Sequence, residues 1–128
     1  MKKKIAILGS TGSIGESTLN VINKNKKDFD VVLLSANKNY KKLFQQAKKF
    51  KVKKIIKKKN IKVFSTDIPL NKIVSKKIDL TMSAIVGLAG LQPTIDAIKI
   101  SKVVALANKE TIICGWKILS RLIKKYKT

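Results

Sequence analysis

Gly9, Gly12 and Gly15 recur at constant spacing between an apolar run, Lys4 to Leu8, and a stretch with helical periodicity. Glycine serves a turn of this kind in three ways. It permits a tight bend, it lets the backbone approach a ligand closely, and it seats a helix tightly on a sheet. The N–H groups opening the helix lack intrahelical partners, and the helix dipole favours negative charge beside them. Thr11 and Ser13 add hydroxyl donors to the same turn. A glycine-rich turn without a ligand is the plainer reading. Its place directly after a first strand and before an amphipathic helix favours a dinucleotide pyrophosphate.

Two further groups qualify that reading. The second apolar run ends in Ser35-Ala36-Asn37-Lys38-Asn39, with no acid among them. Sites for NAD place an Asp or Glu there to accept from the ribose hydroxyls. Here Lys38 can pair with a 2′-phosphate and Asn37 and Asn39 can donate to it, so NADP(H) is the expected cofactor. The bland alternative makes Lys38 one more surface lysine. The third group, Asn108-Lys109-Glu110, follows the run Val103 to Ala107. An amide, an ammonium and a carboxylate there would stand where ligands of open α/β sheets bind. The same residues also suit a helix start, with Asn108 as cap and an acid in the first turn. The residues alone leave both readings open.

The elements that must position these groups alternate. Lys4 to Leu8 reads as a strand, and Ser13 to Asn23 as a helix with Ile14, Thr18, Val21 and Ile22 on one face. Asp30 to Ser35 reads as a strand covered on both faces, and Tyr40 to Phe50 as a helix burying Leu43, Phe44, Ala47 and Phe50. Lys54-Ile55-Ile56 and Ile61 to Phe64 both look strand-like, yet only Lys57 to Asn60 separate them. A parallel crossover needs about a dozen residues. One run is therefore not a strand, or the two form a hairpin, or a crossover helix is missing, which is the preferred reading. Asp79 to Ala84 is a strand, Ile85 to Gly90 a small-residue turn, and Pro93 suits the first turn of a helix running towards Lys99. Val103 to Ala107 is a strand. A last helix beyond Glu110 has a broad apolar face of Ile112, Ile113, Trp116, Leu119, Leu122 and Ile123. The expected architecture is α/β, a doubly wound Rossmann-type fold: a mainly parallel sheet with helices on both faces.

Composition sets the outer bounds. A length of 128 residues suits one domain with one core, and 45% apolar residues suit a globular chain. No apolar stretch is long enough for a membrane span, the N-terminal segment is not a secretory signal, and Cys114 is the only cysteine. These point to a cytoplasmic protein. The net charge of +22 is almost all lysine, with Arg121 the sole arginine and aromatics at 5%. Surfaces that read or stack nucleic acid favour arginine and aromatics, so a solvated lysine-rich surface is preferred over a specific nucleic-acid partner.

Taken together, four motifs in order resemble the 1-deoxy-D-xylulose 5-phosphate reductoisomerase family. They are Ile7 to Gly15, Ala36 to Asn39, Ser83 to Leu91 with Pro93-Thr94, and Leu106 to Glu110. The resemblance implies NADPH-dependent conversion of 1-deoxy-D-xylulose 5-phosphate into 2-C-methyl-D-erythritol 4-phosphate, in the non-mevalonate route to isoprenoids. It implies that Thr11, Gly12, Ser13 and Ile14 hold the cofactor phosphates, and that Asn37, Lys38 and Asn39 hold the 2′-phosphate. Asn108 and Glu110 would contact NADPH and Lys109 the sugar-phosphate substrate. The family has glycine in place of Asn37, and asparagine tolerates positive φ better than most residues. Its region around Lys54 to Phe64 is longer. Its metal-binding carboxylates (for manganese or magnesium), substrate phosphate site and lid lie in a segment beyond Thr128, and full-length relatives are homodimers. No catalytic or metal-binding residue is assigned here, and residues 1–128 are expected to form the NADPH-binding domain, inactive alone. A non-catalytic NADP-binding remnant, a basic nucleic-acid or anionic-surface binder, and an NADP-dependent dehydrogenase of another family are the competing readings.

Overall fold

A computed structural model describes residues 1–52, 54–57 and 76–128. Five parallel strands form one sheet: β1 (Lys3–Leu8), β2 (Phe29–Ala36), β3 (Lys54–Lys57), β4 (Ile78–Ser83) and β5 (Ser101–Leu106), in the order β3-β2-β1-β4-β5. This is the expected doubly wound arrangement. The order reverses between β1 and β4, the position at which open α/β sheets form a ligand crevice at their carboxyl ends. The strand expected at Lys54-Ile55-Ile56 is present and pairs parallel with β2. The choice between hairpin and missing crossover rests on Ile61 to Phe64, which lie outside the described residues.

Alternation along β1 divides the core in two. Ile5 and Ile7 face helices α1 (Ser13–Lys24) and α2 (Tyr40–Phe50), meeting Leu19, Ile22, Leu43 and Ala47. Ala6 and Leu8 face the opposite side, with Leu33, Ile78, Ala97 and Ile100. That side is covered by α3 (Leu91–Ile100), and α4 (Lys109–Tyr126) packs against α3. Ile7, Leu8, Leu33 and Leu34 are fully buried, each contributing about 1.5–3 kcal/mol by removal from water. A bulge interrupts the β1–β2 register between Ile5 and Ala6, whose partners are Val31 and Leu33. Val32 and Leu33 consequently belong to the same side of the sheet.

Three expected helix faces differ. On α1 the buried residues are Gly15, Leu19 and Ile22, while Val21 and Ile14 are exposed. The helix is seated through Gly15, where a Cβ would run into the Gly9 carbonyl oxygen and the Ser10 backbone, and this fixes its rotation. On α2, Leu43 and Ala47 are buried, Phe50 is half-buried, and Phe44 is exposed. On α4 the buried line is Thr111, Gly115 and Leu119, whereas Ile112, Ile113 and Trp116 face outward. Pro93 lies in the first turn of α3, as expected.

Candidate nucleotide-binding site

The glycine turn is folded against the end of β2. The N–H groups of Gly9 and Ser10 both donate to the Ser35 carbonyl, at 3.1 and 2.9 Å, and Gly9 N–H also reaches Ser35 Oγ at 3.1 Å. Gly9 has φ +80°, and a Cβ there would lie 2.8 Å from the Ala84 carbonyl oxygen, so only glycine fits both the bend and the neighbour. Gly15 lets α1 close on the turn. Gly12 differs: a Cβ would meet only the Gly9 oxygen, at an ordinary 3.6 Å. Its lack of a side chain serves an approach from outside.

Gly12 is also the N-cap of α1, and no side chain caps the helix. The first bond from the helix to this cap is Glu16 N–H to Gly12 O, at 2.9 Å. The N–H groups of Ser13, Ile14 and Gly15 therefore come before the intrahelical ladder, at the positive end of a 12-residue dipole. Thr11 is half-buried, and Gly12, Ser13 and Ile14 are exposed. Uncapped donors, a bare glycine at the cap and a glycine cradle beneath are what a diphosphate requires, so these residues fit a dinucleotide.

Beyond Ser35 and Ala36, which are buried, Asn37, Lys38 and Asn39 are exposed and lead into α2. Asn39 is the N-cap of α2, its Oδ1 accepting from Lys42 N–H at 3.0 Å. Its amide nitrogen remains available to donate. Asn37 is not among the residues with positive φ, so the tolerance of asparagine for that region is not called upon. Lys38 makes no ion pair among the described residues. Lys42 pairs with Glu16 at 2.5 Å, joining α2 to α1 across the exposed rim.

At the ends of β4 and β5 the side chain of Asn108 is fully occupied on its donor side. Its Nδ2 donates to the carbonyls of Ile85 and Gly87, at 2.6 and 2.7 Å, and its Oδ1 accepts from Thr111 N–H at 3.1 Å. Asn108 is buried and caps α4, so the helix-cap reading holds in the structure, and any ligand contact from it falls to its backbone or its remaining lone pair. Gly90 is required beneath it, because a Cβ there would lie 2.6 Å from both Asn108 Nδ2 and Ile85 O. Lys109 is exposed and Glu110 half-exposed, in the first turn of α4.

The register brings all three groups to one edge of the sheet: Leu8 pairs with Ser35 on one side and Ser83 on the other, and Ser83 pairs with Leu106. Two residues that sequence reasoning missed hold this edge together. Ser35 receives the glycine turn, and Gln46 of α2 bonds to Ser10. Ser35 stands in the strand-end run but nothing in the sequence gives its role, and Gln46 sits in a helix whose lysines read as a solvated face. Among the described residues no three His, Cys, Asp or Glu side chains come together, so nothing described fits a divalent metal. At the opposite edge, Lys102 and then the Lys4 N–H bond to Asp79 and hold its carboxyl below its ordinary value.

A family model for 1-deoxy-D-xylulose 5-phosphate reductoisomerase matches residues 5–115. The chain belongs to this family. A 1-deoxy-D-xylulose 5-phosphate reductoisomerase of Pelagibacter ubique is 49% identical over an alignment of 142 residues, covering 98% of this chain and 37% of that protein. Another, from Phocaeicola vulgatus, is 40% identical, covering 100% of this chain and 37% of its own length. Among solved structures, the reductoisomerase of Zymomonas mobilis in complex with NADPH superposes with a TM-score of 0.81 at 30% identity, over all of this chain and 38% of that one. A reductoisomerase in complex with NADPH, fosmidomycin and magnesium gives 0.85 at 31% identity, over 97% of this chain and 34% of that one. The chain thus spans a little over one third of these reductoisomerases. No helix among the described residues is long and apolar enough to cross a membrane.

Proposed function

We propose that this chain is the cofactor-binding part of an NADPH-dependent 1-deoxy-D-xylulose 5-phosphate reductoisomerase. The observation that carries the reading is the uncapped start of α1, set on a glycine cradle at the switch point of a parallel sheet. Thr11, Gly12, Ser13 and Ile14 grip the pyrophosphate through backbone and hydroxyl donors. Lys38 supplies the charge opposite a 2′-phosphate, with Asn37 and Asn39 donating beside it. Bound NADPH would supply a hydride to the substrate carbonyl.

Glu110, and Asn108 through the groups its cap leaves free, line the nicotinamide end. Asn108 also fixes the turn Ile85–Gly90 against α4, so the floor of the crevice is set before a ligand arrives. Lys109, exposed at the start of α4, reaches the sugar-phosphate substrate as a point charge. The divalent metal of the family finds no cluster of ligands among the described residues.

The +22 charge makes nonspecific attraction to nucleic acid the reading to separate from this one. Titration of the chain with NADPH and with duplex DNA, each at low and moderate salt, does so. Saturable NADPH binding that survives moderate salt, with DNA binding erased by it, supports the cofactor reading. Tight salt-resistant DNA binding with no NADPH response contradicts it.

A further inference from the structure

Gln46 lies two turns into α2, outside every motif, and its amide meets a single residue of the glycine turn twice. Ser10 Oγ donates to Gln46 Oε1 at 2.8 Å, and Gln46 Nε2 donates to the Ser10 carbonyl at 2.9 Å. The carbonyl can only accept, so the NH2 of the amide must face it and the orientation of the side chain is fixed. The hydroxyl has one proton. Gln46 takes it, leaving the Ser35 carbonyl at 3.3 Å as the weaker acceptor. Ser10 is fully buried and Gln46 partly so, which shelters both bonds from competing water.

Gln46 stands seven residues after Asn39, almost directly below the N-cap along α2. The Asn37–Asn39 bend therefore sits at one end of a rigid rod whose next turns are clasped to the pyrophosphate turn. We propose that Gln46 is a positioning residue that fixes the distance between the pyrophosphate donors of Thr11–Ile14 and the Lys38 ammonium that faces the 2′-phosphate. The inference rests on the cofactor reading above. NADPH spans both ends and depends on their spacing; NADH is held chiefly at the first and tolerates a looser second. Gln46 thus contributes to the preference for the phosphorylated cofactor without touching it.

The test is Gln46→Met, which keeps length and volume and removes both hydrogen bonds, with Ser10→Ala as a second probe of the same clasp. Calorimetric titration of the chain and both variants with NADPH and NADH gives the preference directly, and far-UV and near-UV circular dichroism establish folding. The expected result is a loss of about tenfold for NADPH and no more than about twofold for NADH, with the Ser10→Ala/Gln46→Met pair less damaging than the product of the singles. Equal losses for the two cofactors, or no loss, in a folded variant would overturn the positioning role while leaving the cofactor reading intact. Should Gln46→Met not fold, the same comparison on Ser10→Ala decides. A wild-type chain that is folded and binds neither cofactor overturns both.

Discussion

At the scale of single residues, what matters for an incoming anion is where positive charge and free N–H groups face it. Lys38 is the sharpest case, because lysine is so common in this chain that its position and not its type must carry the argument. It stands at the end of β2 beside Asn37 and Asn39, where an acid would be needed for an unphosphorylated ribose. Replacing Lys38 with Glu should weaken NADPH binding about ten- to a hundredfold, the loss expected of one charge-assisted contact turned repulsive, and NADH binding far less. Equal losses in a fluorescence titration would remove the 2′-phosphate role. The glycines were legible in the sequence because Gly9 and Gly15 meet steric demands that only glycine satisfies, while Gly12 keeps their spacing and leaves the cap bare. Asn108 was legible only as two alternatives, and its Oδ1 accepting from Thr111 N–H shows the cap. The bonding roles of Ser35 and Gln46 left no trace, since their partners are brought close only by the folded chain.

At the scale of elements, strand and helix order was readable because β1 and β2 are nearly continuous apolar runs and because turns rich in glycine and asparagine punctuate them. Helix rotation was less readable. The sequence offered Ile14, Val21 and Ile22 as one face of α1, and a seat at Gly15 selects Leu19 and Ile22 instead. A missing side chain decided the packing, and hydrophobicity has no means of registering that. On α4 the surplus of apolar residues hid the fact that the buried line runs through Thr111, Gly115 and Leu119. The packing claim for α1 is testable by contrast. Gly15→Val should lower the unfolding free energy by about 2–3 kcal/mol in urea, as overpacking against backbone that cannot yield. Val21→Ala, on the exposed side, should cost no more than about 0.5 kcal/mol. If the two variants unfold at the same urea concentration, the seating of α1 is wrongly placed.

At the scale of the molecule, the sheet separates two edges with different duties. The carboxyl edge gathers the glycine turn, the Lys38 bend and the Asn108 cap, while the opposite edge is held by Asp79, which links β4 to Lys4 of β1 and Lys102 of β5. Because Lys102 and the Lys4 N–H lower its pKa, the folded state favours the ionised form. That contribution is present above the ordinary value of 3.8 and is lost as pH falls through the lowered one. Asp79→Asn should therefore melt below the wild type at neutral pH, by a small margin that salt reduces, and the two curves should converge in acid. A gap that fails to narrow as the pH is taken well below 3.8 would refute the pairing as the cause.

Cofactor binding as proposed depends on donors at the head of α1 that no side chain among the described residues satisfies. Isothermal titration calorimetry of the folded chain with NADPH and with NADH interrogates them most directly. The expected traces show saturable heat for both, with NADPH the tighter ligand. Flat traces for both cofactors, from material whose near-ultraviolet dichroism shows fixed tertiary packing, would contradict it.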